Sequence, residues 1–242
     1  MKDVGKLVDR IVAWIREKIE EAGVKGGVVG ISGGVDSAVV VVLLKRAVGD
    51  RMLGILMPCH SDPSDTEDAL MLVRSFDIPY RLVDLSPVYD AFLQVLGERD
   101  RKRDLSLANI KPRLRMITLY HFANKLNYLV VGTSNKSELE VGYFTKYGDG
   151  GVDILPIGGL LKTQVWEVAR FLGIPDKIIN KPPSAGFWEG QTDEEEMGVT
   201  YEALDAYLLE GKGDPDVIKK IEEMRRRSEH KRRLPQVFLP EK

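Results

Sequence analysis

One cysteine, Cys59, stands in a chain of 242 residues. No intramolecular disulfide can form, and a cysteine-rich metal site is excluded. Nor does any apolar run approach the roughly 18 residues that read as a membrane span. The first 20 residues mix acids and bases and lack the apolar core and small-residue cleavage site of a secretory signal. Charge of one sign is missing too: 35 Lys and Arg balance 37 Asp and Glu, for a formal net charge of −2. That argues against a general nucleic-acid coat protein. The basic run at 225–233 reads by default as a solvated helix face or a frayed tail. Internal repeats and low-complexity tracts are absent. The expectation is a soluble cytoplasmic protein with neither a membrane nor a nucleic-acid partner.

What is present is 43% hydrophobic sequence, enough for a sizeable core in one large α/β domain or two small ones. Leu7, Ile11, Ile15 and Ile19 recur at helical spacing beside Trp14 and predict an amphipathic helix. Short apolar runs at 28–32, 52–57, 80–85, 128–131 and 153–157 predict five strands. Helices are expected from Asp65 or Thr66 to 76, at 88–96, at 113–125 and at 162–172, the last stopped by Gly173 and Pro175. Residues 97–111 are charged without apolar periodicity and read as a mobile loop. Strands alternating with helices indicate a doubly wound parallel five-stranded sheet with helices on both faces, a Rossmann-like α/β fold. After Ile174 the pattern changes. Residues 181–190 are rich in Pro and Gly, Thr192 with Glu195 spells a capping box, and Asp214-Pro215 spells a cap followed by proline at the first helical position. We read a single domain over 1–242, with a C-terminal helical extension over about 176–242.

The segment Gly30-Ile31-Ser32-Gly33-Gly34-Val35-Asp36-Ser37 follows the first strand and leads into a long apolar run that reads as a helix. Adjacent glycines let backbone N–H groups converge, since no Cβ blocks φ > 0 or close approach. The start of the next helix adds partial positive charge, so strand, turn and helix make an anion site suited to phosphate. Ser32 and Ser37 can donate hydroxyl hydrogen bonds to it. Asp36 does not fit a plain anion cradle, and a carboxylate beside phosphates makes sense with Mg²⁺ between them. The plainer alternative is that Asp36 and Ser37 only cap the helix. The turn lacks the Gly-Lys-Ser/Thr of the common nucleotide P-loop, because Val35 and Asp36 follow Gly34, and it lacks the third glycine of the dinucleotide pattern. In open α/β sheets the ligand sits at the carboxyl ends of the strands. The loops at 32–37, 58–65 and 132–138 all fall there, and 146–153 can reach the same cleft.

SGGVDS after a first strand resembles the pyrophosphate-binding loop of the ATP pyrophosphatases, enzymes that cleave ATP between its α and β phosphates and activate a substrate as its adenylate. Within that superfamily the chain resembles NAD synthetase over roughly 30–231. The resemblance is carried by GISGGVDS (30–37), KPRLRM (111–116), VVGTSNKSE (130–138), GYFTKYGDGGVDILPIGGLLKTQV (142–165), KPPSAG (181–186), TDEEEMGVTYEALDAYL (192–208) and EHKR (229–232). It implies an adenine nucleotide alpha-hydrolase-like fold and an ammonia-dependent amidation of deamido-NAD, with ATP as co-substrate and Mg²⁺ as the metal. It implies that residues 30–37 hold the pyrophosphate portion of ATP, that Thr133, Lys162 and Ser184 also contact ATP, and that Asp36 and Glu138 ligate Mg²⁺. It further implies that Arg113, Lys146, Asp153, His230 and Lys231 bind deamido-NAD. No side chain need act as a covalent nucleophile, so Cys59 is expected to be a passive core or loop residue.

The match is loose at 58–65 (PCHSDPSD), where His60 is a tempting acid–base candidate. A lone histidine in a polar loop is more often incidental. The 29 residues before the turn are expected to form one helix, too little for the fused glutaminase that some members of the family carry. Free ammonia is therefore the expected nitrogen donor, with a separate glutaminase partner left open. The family pattern is a homodimer with deamido-NAD at the interface. The N-terminal helix and the 113–125 helix are the expected contact surfaces. Segments 97–111 and 181–190 are expected to order over substrate as lids. Two other readings stay in view. One is another SGGxDS-type ATP pyrophosphatase, either tRNA-thiolating or GMP-forming, although one cysteine cannot serve the former and FTKYGDGG is foreign to the latter. The other is a non-catalytic ATP-binding α/β module, which would not need both Asp36 and Glu138.

Overall fold

Residues 38–44 read Ala-Val-Val-Val-Val-Leu-Leu, and every one of them is buried. A helix that is apolar all round belongs in the interior of a fold. The computed structural model, which describes residues 3–99, 103–188 and 190–240, places this run at the centre. The elements follow one another as α1 (Val4–Glu21), β1 (Gly26–Gly30), α2 (Val35–Val48), β2 (Met52–Leu56), α3 (Pro63–Ser75), β3 (Tyr80–Leu82), α4 (Ser86–Leu96), α5 (Leu105–Ala108), α6 (Ile110–Leu126) and β4 (Tyr128–Val131). Then come α7 (Lys136–Val141), α8 (Lys162–Leu172), α9 (Asp176–Ile179), α10 (Asp193–Met197), α11 (Tyr201–Glu210), α12 (Pro215–Ser228) and a 3-10 turn, Glu229–Lys231.

The four strands are parallel and lie in the order β3-β2-β1-β4. Alternate side chains of each strand go to opposite faces. Val29, Leu56 and Val131 join the layer of α1, α2, α8 and α9, whereas Val28, Ile55 and Val130 join the layer of α4, α5 and α6. A third apolar cluster, with Val141, Met197, Tyr201, Leu204 and Ile221, ties α7 to α10, α11 and α12. The apolar face of α1 (Val8, Ile11, Val12, Ile15 and Ile19) is spent on the first of these layers, against α2 and α8. It is therefore not the free contact surface expected of it.

The expected fifth strand does not form. Residues 153–157 contribute one isolated parallel bridge, Val131 with Ile154. The Asp153 carboxylate itself accepts the N–H of Val130 at 2.7 Å, on the edge of β4 that a fifth strand would pair with, and Pro156 has no N–H to offer. The third strand is also shorter than 80–85, though Val83 and Leu85 continue its course by donating to the carbonyls of Leu56 and Pro58 at 2.8 Å each. Helix α3 begins ahead of Asp65, because Asp62 caps it and Pro63 occupies its first turn. Within the segment expected to be a loop, Asp104 caps α5, and α6 starts at Ile110; residues 100–102 lie outside the described residues.

The chain leaves β1 through α2 to reach β2 on one side, and returns through α4, α5 and α6 to place β4 on the other. The strand order thus reverses between β1 and β4, and a crevice opens at their carboxyl ends, which is where such sheets receive ligands.

Candidate functional site

The turn after β1 is held by its own serines. The Ser32 N–H donates to Ser37 Oγ at 3.2 Å, the Gly34 N–H donates to Ser32 Oγ at 3.2 Å, and Ser37 Oγ donates to the Gly34 carbonyl at 2.9 Å. Gly33 has φ +84°, and a Cβ there would stand 2.4 Å from the Asp65 carbonyl oxygen, so glycine is required twice over. Gly34 differs. It is the extended N-cap of α2 with φ −92°, and its glycine identity follows from no strain. Asp36 lies in the first turn of α2, where the helix dipole favours a carboxylate.

Glu138 arrives from the loop after β4. Asn135 caps α7: its Oδ1 accepts the Glu138 N–H at 3.0 Å, and Glu138 Oε2 accepts the Asn135 N–H at 3.2 Å. The same Asn135, fully buried, donates from Nδ2 to Asp36 Oδ1 at 2.9 Å and so joins the two loops. Lys162, at the start of α8 and 2% exposed, inserts its ammonium between the acids, with Asp36 Oδ2 hydrogen-bonded and Glu138 Oε1 at 3.5 Å. Its backbone N–H donates to Ser137 Oγ at 3.0 Å. Buried Asp205 accepts from both the Ser137 hydroxyl and, at 2.8 Å, the Thr163 N–H. The Lys162 ammonium also lies 4.9 Å from the centre of the Tyr201 ring, a favourable cation–π placement. Tyr201 in turn donates to Asp193 Oδ2 at 2.9 Å.

Burial, and then the neighbouring Asp36, push the Glu138 carboxyl up to about 8, with Lys162 opposing. Burial works against the Lys162 ammonium, yet Asp36 and Glu138 hold its pKa above the ordinary value. Burial likewise raises Asp193, whose Oδ1 has no hydrogen-bond partner in the structure. One cation thus faces three largely buried carboxyls, and burial favours the neutral form of two of them, Glu138 and Asp193.

A cavity of about 1030 Å³ opens over this cluster. Of the residues singled out in the sequence, Gly30, Ile31, Ser32, Gly34, Val35, Asp36, Ser37, Thr133, Glu138, Lys162, Ser184 and Lys231 line it. Ser184 is exposed and accepts the Gly186 N–H at 3.0 Å. Lys231 holds the carbonyls of Gly142 and Phe144 at 2.8 Å each. Residues 181–188 and Gly190 form part of the cavity wall. Lys181 anchors it to Asp65 at 2.6 Å and Asp68 at 2.8 Å, and buried Lys111 donates to the Phe187 carbonyl at 3.3 Å.

Four of the residues singled out lie elsewhere. Lys146 donates to the His230 carbonyl at 2.6 Å, and these two line a separate pocket of about 320 Å³ with Arg226, Arg227 and Arg233. Exposed Arg113 donates to the Lys146 carbonyl at 3.3 Å. Asp153 is a strut, one oxygen on the Val130 N–H and the other accepting from Tyr120 at 2.9 Å. Cys59 is buried. His60 lines the large cavity with its Nε2 at 2.8 Å from Asp90, in a left-handed backbone conformation of φ +50°. Among the described residues, no group of three or more His, Cys, Asp or Glu side chains is close enough to hold a metal alone, and no helix is long and apolar enough to cross a membrane. Asn135, Tyr201, Asp193, Lys181 and Arg115 were missed as site residues, although each lies inside a segment that carries the resemblance.

A sequence model of the family described as NAD synthase matches residues 7–235. The NH(3)-dependent NAD(+) synthetase of Carboxydothermus hydrogenoformans is 55% identical over 231 residues, 95% of this chain and 95% of that protein. The protein of that name from Thermococcus kodakarensis is 45% identical over 96% of each chain. Among solved structures, an NMN synthetase from Francisella tularensis superposes with a TM-score of 0.92 at 36% identity, covering 97% of this chain and 98% of that one. An NH3-dependent NAD synthetase from Campylobacter jejuni, in complex with nitrate, superposes with a TM-score of 0.81 at 32% identity, covering 98% and 99%.

Proposed function

The chain belongs to the NAD synthase family, and from that premise we propose that it is an ammonia-dependent NAD synthetase, a ligase that forms a C–N bond. The substrates are ATP, deamido-NAD and ammonia. A carboxylate is a poor electrophile because it would have to expel oxide. Adenylation removes that obstacle: a nicotinate oxygen attacks the α-phosphorus, the α–β bond breaks, and pyrophosphate leaves with the electron pair. Ammonia then attacks the acyl carbon, AMP departs, and the surplus proton is released. The work left to the protein is positioning and stabilising charge as it builds on the phosphates.

The observation that carries this reading is the buried cluster of Asp36, Lys162 and Glu138 at the β1–β4 crevice beside the serine-braced turn. Residues 30–37 would cradle the pyrophosphate portion of ATP, with Lys162 matching its charge and Thr133 and Ser184 adding contacts from the same cavity. Asp36 and Glu138 fit Mg²⁺: they are hard, mostly buried oxygen donors brought together at the cavity, and the nearby Asp193 Oδ1 has no hydrogen-bond partner. When bound, the ion would supply charge neutralisation at the phosphates, with Asp36 and Glu138 as the residues that would hold it. Deamido-NAD would reach across to Arg113, Lys146, His230 and Lys231, with Asp153 fixing the strand edge below them. Because Arg113, Lys146 and His230 lie outside the large cavity, the second substrate is expected at an interface. The exposed apolar side chains Val88, Phe92, Val95 and Leu96 on α4 and Ile117 on α6 suit a homodimer. Residues 1–242 are read as one cytoplasmic synthetase domain, with about 176–242 as its helical extension.

The likeness to an NMN synthetase at a TM-score of 0.92 gives a second reading, in which the acid amidated is the mononucleotide. Incubation with ATP, Mg²⁺, ammonium and either deamido-NAD or nicotinate mononucleotide separates the two. The higher kcat/KM is expected with deamido-NAD. A preference for the mononucleotide would move the substrate, and amidation of neither would defeat the reaction.

A further inference from the structure

Among the described residues, four Lys or Arg side chains line the large cavity: Arg115, Lys162, Lys181 and Lys231. Two of them meet carboxylates. Lys162 is shared by Asp36 and Glu138, and Lys181 by Asp65 and Asp68. Arg115 meets none. Its Nε donates to the Met57 carbonyl at 3.1 Å and its Nη2 to Ser61 Oγ at 3.3 Å, both neutral acceptors just past the end of β2. The carboxylates that act on it through space are those of Asp149 and Asp65, and among the described residues neither forms an ion pair with it. A guanidinium has five N–H donors in a rigid fork that suits the paired oxygens of phosphate or carboxylate. Arg115 is half-buried, and a partly desolvated guanidinium on neutral acceptors gains from an anion at its remaining N–H groups.

The sheet order gives the position meaning. The glycine turn ends β1, which lies between β2 and β4. Lys162 approaches from the β4 side with its charge answered by acids, and Arg115 is anchored on the β2 side with its charge unanswered. An anionic substrate lying across the turn meets Arg115 where it extends beyond the pyrophosphate cradle. We propose that Arg115 is a substrate-binding residue whose free N–H groups hold a phosphate or carboxylate oxygen of ATP or deamido-NAD in this cavity. The proposal rests on the synthetase reading of the site.

The test compares the wild type with Arg115→Gln and Arg115→Lys. Arg115→Gln is expected to raise the KM of one substrate by about tenfold or more, as befits a lost hydrogen bond to a charged group. The substrate whose KM rises identifies the source of the anion. The rise in melting temperature given by that nucleotide alone, ATP or deamido-NAD, is expected to shrink with it, while the ligand-free melting temperature changes little. Arg115→Lys keeps the charge but loses the fork; it raises the same KM by less, and carries the test if the Gln variant does not fold. If both KM values and both thermal shifts stay within twofold of wild type in whichever variant folds, Arg115 is only a strut for residues 57–61 and the proposal is overturned. A wild type that makes no NAD would sink the synthetase reading, while the thermal shifts would still decide the role of Arg115.

Discussion

Lys162 is 2% exposed and lies between two carboxylates, on a helix start capped by buried Asp205. Lys146 is partly exposed, with its ammonium on the backbone carbonyl of His230, and Arg113 beside it is held by the carbonyls of Asn109 and Lys146. Both lysines come from segments with the same resemblance, yet one belongs to a finished site and the other to an open surface. The half proposed to hold phosphate is braced by residues from α2, the start of α7, α8 and α11. In the half assigned to the second substrate, Lys146 and Arg113 are held by backbone carbonyls rather than by carboxylates. That is the arrangement expected of a site that a second surface completes.

Substitutions can break this contrast at either end. The largest loss is expected from Asp36→Ala and Glu138→Ala, about 10²-fold or more in kcat, because each removes stabilisation of charge on the reacting phosphates. Steady-state kinetics on folded variants checks it, and near-normal turnover in either would remove the metal assignment. Gly33→Ala comes next. It forces a Cβ against the Asp65 carbonyl at a positive φ, which costs on the order of 1–3 kcal/mol. It is expected to lower the melting temperature and weaken ATP binding together; an unchanged melting curve would show that the turn has slack. Arg113→Ala and Lys146→Ala are expected to raise the KM of deamido-NAD by about tenfold while leaving that of ATP unchanged. An equal rise in both would mean that the halves are not separate. The smallest effect is that of salt. Raising ionic strength from about 0.05 to 0.5 M screens exposed charges more than buried ones, so the KM of deamido-NAD should rise more than that of ATP.

Much of the frame was legible in the sequence, because local chemistry decided it. The helix expected at 162–172 and the strand at 128–131 form over those residues, and Asp214, with Pro215 after it, caps α12. Thr192 caps α10 through the Glu195 N–H. What failed were questions of partnership. The run 153–157 has the composition of a strand, but the side chain of Asp153 takes the strand edge first. The apolar stripe of α1 was visible, and nothing local said that α2 and α8 would cover it. In the site, the sequence singled out the glycine turn and its acid, and both line the large cavity. The links that complete it join residues far apart in the chain: Asn135 to Asp36 across 99 residues and Lys162 to Asp36 across 126. Tyr201 and Asp205 looked like ordinary helix residues until the fold set them against Lys162 and the start of α8.

The central claim is that the phosphate half breaks the α–β bond of ATP to activate a carboxylate. Quantifying every adenine nucleotide and phosphate species formed during turnover with deamido-NAD and ammonium tests it most directly. One AMP and one pyrophosphate are expected for each NAD made; ADP and inorganic phosphate in their place would mean that a different ATP bond is broken.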